Sequence, residues 1–107
     1  MTDRDWAYLI IWQFRVRAGM EKPFEHAYGP QGEWAQLFRQ DEAFLGTELI
    51  RTPGPGGEYW TLDFWKSQAS YEAFRQRHAA EYKAIDQKAE QLTENEREIG
   101  KFVRVSG

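Results

Sequence analysis

From residue 7 to 17 the chain reads Ala-Tyr-Leu-Ile-Ile-Trp-Gln-Phe-Arg-Val-Arg. In an extended chain Tyr8, Ile10, Trp12, Phe14 and Val16 share one face, and Leu9, Ile11, Gln13, Arg15 and Arg17 share the other. This predicts a strand with one fully apolar and one half-apolar face, ended by Ala18-Gly19. Between 20 and 41 the period changes, with Phe24, Ala27, Tyr28, Trp34, Leu37 and Phe38 as apolar positions. Gly29-Pro30 interrupts that run, and proline disfavours helix at the residue before it. Two helices are therefore expected, over 20–28 and 32–41.

Alternation returns over 43–51, with Leu45, Thr47 and Leu49 against Phe44, Glu48 and Ile50. It returns again over 58–65, with Trp60, Leu62 and Phe64 against Tyr59, Thr61, Asp63 and Trp65. The segment between them, Thr52-Pro53-Gly54-Pro55-Gly56-Gly57, can only turn, so the two runs form an antiparallel hairpin. Ser67 then offers an N-cap to a stripe of Tyr71, Phe74, His78, Tyr82, Ile85, Ala89 and Leu92, spaced as one face of a helix. A continuous helix over 68–92 would be roughly 37 Å long, whereas a strand of about seven residues spans about 23 Å. The helix is therefore expected to bend near 78–80. Thr93-Glu94-Asn95-Glu96 reads as a capping box for one more turn, and a last strand is expected over 98–105. Residues 1–5 and 106–107 are expected to be loose.

Strand, helix, strand, strand, helix, strand is the split βαβ order of a ferredoxin-like α+β domain with a four-stranded antiparallel sheet. The 107 residues form one domain. Helices cover only one face of such a sheet, yet the first three strands are apolar on both. Leaving the second face wet would expose more apolar surface than monomers usually carry. A homodimer with the two sheets face to face solves this.

Composition removes several functions. Seventeen acids against fourteen bases give a charge of −3, with no basic stripe for nucleic acid. No apolar run reaches the roughly 18 residues of a membrane span. The charged start Met1-Thr2-Asp3-Arg4-Asp5 leads into no signal-like apolar region, which predicts a cytoplasmic protein. The absence of cysteine excludes disulfides, thiolate metal sites and cysteine nucleophiles. Five Trp, five Tyr and seven Phe remain, enough to line a pocket as well as fill a core.

The sequence resembles the antibiotic biosynthesis monooxygenase family of the dimeric α/β barrel superfamily. The resemblance is carried by Ile11-Trp12-Gln13-Phe14-Arg15-Val16 with Ala18-Gly19, and by Tyr28-Gly29-Pro30 with Trp34-Ala35-Gln36-Leu37-Phe38. Phe44-Leu45-Gly46-Thr47-Glu48-Leu49 and Tyr59 to Ser67 with Tyr71-Glu72-Ala73-Phe74 continue it. It implies the ferredoxin-like fold and a dimeric α/β barrel. In haem-degrading relatives an Asn, a Trp and a His form the site. The matching positions here are Trp12, Phe74 and Ala84, so that activity is disfavoured. In polyketide-oxidising relatives a strand-ending Trp and a Tyr six residues later bind the aromatic substrate, and Trp65 and Tyr71 match that spacing. The accompanying Asn is Thr61 here, and the helix Arg has no counterpart.

The residues themselves carry no phosphate loop, no metal-ligand spacing around His26 and His78, and no Gly-x-Ser-x-Gly. The expectation is a cofactor-free monooxygenase with no bound metal, acting with molecular oxygen on a small aromatic, quinol or polyketide-like compound that supplies the electrons. Such a reaction needs a base near neutrality in a ring-lined, water-poor cavity. His78, on the apolar stripe between Phe74 and Tyr82, is the candidate base. Trp65, Tyr71, Phe74, Tyr28, Trp34 and Phe38 are the candidate walls. His26 reads as a surface residue. Asp63, costly on a central strand unless paired, is assigned to an ion pair with Arg15 or Arg51 at the dimer interface. A core histidine at 78, a non-catalytic ligand-binding dimer and a dimer whose pocket is filled by its own rings stand as alternatives.

Overall fold

The computed structural model describes residues 5–56 and 58–105. The expected looseness of 1–4 and 106–107 concerns positions outside that range. In chain order the elements are β1 (Tyr8–Val16), α1 (Glu21–Tyr28), α2 (Glu33–Phe38), β2 (Phe44–Arg51), β3 (Glu58–Trp65), α3 (Gln68–Arg77), α4 (Ala79–Ala89), a 3₁₀ turn (Glu90–Leu92) and β4 (Thr93–Val103). The strands lie in the order β2-β3-β1-β4, every neighbouring pair antiparallel, which is the ferredoxin-like α+β arrangement. Among the described residues no helix is long and apolar enough to cross a membrane.

The helix breaks arise from local chemistry. Between α1 and α2 the chain doubles back so tightly that a Cβ at Gly32 would lie 2.3 Å from the carbonyl oxygens of His26 and Ala27. Only glycine fits there. Ser67 caps α3, its hydroxyl accepting from the Ser70 N–H at 3.1 Å. The long helix bends at His78, which ends α3 and begins α4, where the length argument places the bend.

One expected element is absent. Thr93 to Glu96 do not cap a helical turn; they already belong to β4. Their backbone is taken by the ladder to β1, in which Thr93, Asn95 and Glu96 face Val16, Arg15 and Phe14. Thr93 is buried there, where a β-branched side chain fits better than in a cap. Two irregularities in this ladder, at Ile11/Trp12 and Arg15/Val16, bend β4 around its neighbour.

The core lies between the helices and one sheet face. Tyr8, Ile10, Phe14, Tyr59 and Trp65 from the strands meet Phe24, Leu37, Phe38, Tyr71 and Phe74 from the helices. The opposite sheet face carries Leu9 and Ile11 on β1, opposite Phe64 and Leu62 on β3, and Trp60 opposite Gln13. Phe64 is covered by the edge of Trp6, ring centres 5.3 Å apart. Leu9, Ile11, Trp60 and Leu62 are half-buried, and Ile50 and Phe102 on the same face are 51% and 42% exposed. The face that the helices leave bare is thus apolar over three strands and extends to β4.

Candidate active site

The helix-covered face has two different halves. Near the C-terminal end of β3 it is filled: Trp65 meets Tyr71 and Phe74, each at 5.3 Å between ring centres, and Phe38 meets Trp65 at 5.6 Å. Trp65 and Phe74 have no exposed surface at all. Toward the middle of the strands the floor is instead made of Thr47, Thr61 and Asp63, side chains too small to reach the helices. A cavity of about 50 Å³, open to solvent at its mouth, is left above them. Its walls are Trp12, Phe14, Tyr28, Trp34, Phe38 and Tyr82, and Asp86 of α4 and Glu96 of β4 complete the lining.

Three of the six expected wall residues, Tyr28, Trp34 and Phe38, therefore border the cavity, while Trp65, Tyr71 and Phe74 form the packed cluster beside it. Phe38 belongs to both. His78 is not brought to the cavity. Its ring stacks on Phe74 at 4.6 Å, its Nδ1 lies 2.7 Å from Glu81 Oε1, and it borders an open recess with Asp41, Lys66 and Arg77. The reason is the bend itself. His78 stands between the two helices as the cap of both, and the stripe position that reaches the cavity is Tyr82, one turn later. His26 is exposed on α1.

Asp63 also departs from expectation. It faces the helices, not the bare sheet face, so it is no part of a sheet-to-sheet ion pair. Arg15 lies on the other face, opposite Glu58, and Arg51 is the ladder partner of Tyr59, four residues along β2 from Thr47. What Asp63 has is the Thr47 hydroxyl, which donates to its Oδ1 at 2.5 Å. By area the residue is half-buried, with one side meeting the cavity. Desolvation pushes its pKa from 3.8 up to about 6, and the Thr47 hydrogen bond only partly opposes this.

The remaining polar groups sharpen the picture. Burial raises the phenol pKa values of Tyr28 and Tyr82, so both rings stay neutral donors. The Arg75 guanidinium lies 3.7 Å from the Tyr82 ring centre and donates to the Tyr71 hydroxyl at 2.9 Å, which fixes Tyr82 from behind. The buried Trp34 indole N–H makes no well-formed hydrogen bond, although it sits close enough to the Tyr28 hydroxyl to influence it. Among the described residues, none of those that line the cavity is a lysine, arginine or histidine. One sequence signal pointed here. Alternation puts Thr61 and Asp63 on the same face as Tyr59 and Trp65, so a carboxylate had to enter the helix-covered side. Asp86 and Glu96 gave no comparable signal.

The chain was compared with known proteins. The family model described as antibiotic biosynthesis monooxygenase matches residues 7–88. No curated protein matches the chain. Among solved structures, a variant of SnoaB, a cofactor-independent oxygenase from Streptomyces nogalater, superposes with a TM-score of 0.71 at 14% identity over 94% of both chains. A dimeric ferredoxin-like protein from an uncultured marine organism has a TM-score of 0.69 at 12% identity, over 98% of this chain and 94% of that one. A conserved protein from Methanosarcina mazei Go1 has a TM-score of 0.68 at 10% identity over 94% of both. At such identities the superpositions speak for the fold.

Proposed function

The chain belongs to the antibiotic biosynthesis monooxygenase family, and we propose that it oxidises a small electron-rich phenol or hydroquinone with molecular oxygen, without a cofactor, using Asp63 as the base. The observation that carries this reading is one carboxyl held near neutrality on the floor of a ring-walled cavity. With a pKa of about 6 the group is mostly ionised at pH 7, yet basic enough to take a phenolic proton.

The chemistry balances without another reagent. Asp63 accepts the phenol proton, and the resulting anion is electron-rich enough to pass one electron to dioxygen. The ring radical and superoxide then join in a carbon–oxygen bond at a hydrogen-bearing ring carbon, para to the oxygen in a phenol with that position free and ortho to it in a hydroquinone. The peroxide takes the proton back from Asp63 and, with loss of the hydrogen on that carbon, its O–O bond breaks to leave a quinone and water. One oxygen atom ends in the product and the other in water. The rings exclude solvent from the radical pair. Proton transfer leaves the neutral acid beside the new oxyanion, so it can donate a hydrogen bond to the charge it has created.

Assembly belongs to the same proposal. A second copy of the chain covers the bare face of Ile11, Trp60 and Leu62, giving a dimeric α/β barrel with one cavity per protomer. The apolar character of that face and the dimeric relative support this.

The test is oxygen uptake with a panel of hydroquinones and polyketide phenols. Turnover by the wild type and a loss of at least about a hundredfold in Asp63→Asn are expected. Equal rates in the two proteins would remove Asp63 from the reaction. Guests that raise the melting temperature without any oxygen consumption would make the chain a binding module.

A further inference from the structure

We propose that the guest of this cavity carries a positive charge: it is an aromatic amine whose ring lies among Trp12, Tyr28 and Trp34 and whose ammonium group is held at the mouth by Asp86 and Glu96. The inference deepens the oxygenase proposal and rests on the same cavity being the guest site.

The ground for it is the balance of charge around the space. Three carboxyl groups line it, Asp63 at the floor, half-buried Asp86 on α4 and exposed Glu96 on β4, and no cationic side chain is among the described lining residues. The cation that comes near, Arg75, stacks on Tyr82, donates to the Tyr71 hydroxyl and lies within electrostatic reach of Asp86, so one cation stands against three acids. An anionic guest would meet three acids and no cationic side chain among the described lining residues. Low-dielectric walls strengthen that repulsion. A cation meets the opposite situation, because the rings of Tyr28 and Trp34 also attract positive charge.

The acids strain one another in the empty site. Glu96 holds its proton more tightly than usual, through burial first and then the neighbouring charges of Asp86 and Glu90. Asp86 likewise adds to the raised values of Tyr28 and Tyr82. An ammonium placed between Asp86 and Glu96 relieves this repulsion. The floor carboxyl stays free for the hydroxyl at the other end of the guest. Two acids at the mouth and one at the floor thus orient a guest that is cationic at one end and phenolic at the other.

Three catechols that differ only in their side chain test this: ethylcatechol, which is neutral, dopamine, which carries an ammonium, and dihydroxyphenylacetate, which carries a carboxylate. Affinities are read without oxygen, from quenching of tryptophan fluorescence and by calorimetry. Dopamine is expected to bind at least about tenfold more tightly than ethylcatechol, and dihydroxyphenylacetate at least about tenfold more weakly. High salt should compress this ranking. The double variant Asp86→Asn/Glu96→Gln, checked for folding by its melting curve, should bring the three within about threefold, and Asp86→Lys should favour the carboxylate. Equal affinities in the wild type, a ranking that survives in the double variant, or no binding of any of the three would overturn the proposal. Oxygen uptake is recorded separately. The charge ranking without turnover would refute the oxygenase and leave this inference standing. Rapid turnover of other phenols with no charge ranking would do the reverse.

Discussion

Replacing Asp63 by asparagine is expected to stabilise the fold at pH 8 and leave it unchanged at pH 4. The carboxyl titrates near 3.8 when free and near 6 in the folded protein, where burial favours its neutral form. The folded state therefore holds this proton more tightly than the unfolded chain. That favours folding fully below about pH 4, and the advantage is lost as the pH rises through 6. At about 1.4 kcal/mol per pH unit, the interval from 3.8 to about 6 corresponds to about 3 kcal/mol of lost stability. Water admitted through the mouth of the cavity lowers this, so a gain of about 1–3 kcal/mol is expected for the variant above pH 7. Asparagine cannot ionise, and its side-chain oxygen still accepts from Thr47.

For a domain of this size such a gain raises the melting temperature by about 5–15 °C. The assay is a series of melts of both proteins between pH 4 and pH 8. Other titrating groups are common to the two and cancel in the difference, so the difference curve should climb between pH 4 and 7 and then level. A difference independent of pH, or a variant that melts lower at pH 8, would refute the argument. The same substitution is expected to abolish turnover, because the group that destabilises the fold is the proposed base. Stability would then rise as function is lost, as expected of a site kept under electrostatic strain.

The geometry carries two further predictions. His78→Ala should leave oxygen uptake within about twofold of wild type while costing about 1 kcal/mol of stability, through the lost stack on Phe74; a hundredfold loss of turnover, measured with the same electrode, would return the base to His78. Leu62→Lys places a cation beside Glu48, its ladder neighbour on β2, so the monomer can fold, but it puts a charge in the middle of the sheet-to-sheet contact. Sedimentation should show dimer for the wild type and monomer for the variant at micromolar concentration, and a wild-type monomer would sink the barrel.

The strands and the helix faces are readable in the sequence because each has a single period imposed by one large apolar surface. β1 and β3 are short runs of branched and aromatic residues bounded by turn residues, and the Gly29-Pro30 break is enforced by covalent chemistry. The capping box at Thr93 to Glu96 misleads because the same four residues also suit a strand. The choice is made by β1, whose partners lie about eighty positions earlier in the chain. His78 misleads for a related reason. Its stripe assumes one continuous helix, and His78 stands at the bend itself, while Tyr82, Ile85 and Ala89 beyond it keep to the core. A stripe drawn straight through the bend therefore places the imidazole at the cavity, where Tyr82 stands instead. Asp63 reads as costly on a central strand, but of the partners expected for it Arg15 is on the other face and Arg51 stands beside Tyr59, a full four residues along the strand. Its alternation with Tyr59 and Trp65 already assigns it to the helices. Asp86 and Glu96 come together only when α4 and β4 pack over the same gap, and nothing local marks either one.

The cavity itself results from side-chain size along one sheet face. At the Trp65 end each floor position carries a ring, and rings from α2 and α3 close over it with no space left. A few residues along, the same face presents Thr47, Thr61 and Asp63, whose side chains stop well short of the helices. The helices do not sink to meet them, because their spacing is set by the ring cluster on one side and by Phe24, Tyr28 and Phe14 on the other, with Phe24 and Tyr28 stacked at 4.3 Å. A gap between two rigid supports stays open. Its floor is polar because the two threonines and the aspartate are the groups that make it low. The features that define the site, a vacant volume and a carboxyl with little solvent, therefore have one origin, and filling the floor with a larger apolar side chain would remove both together.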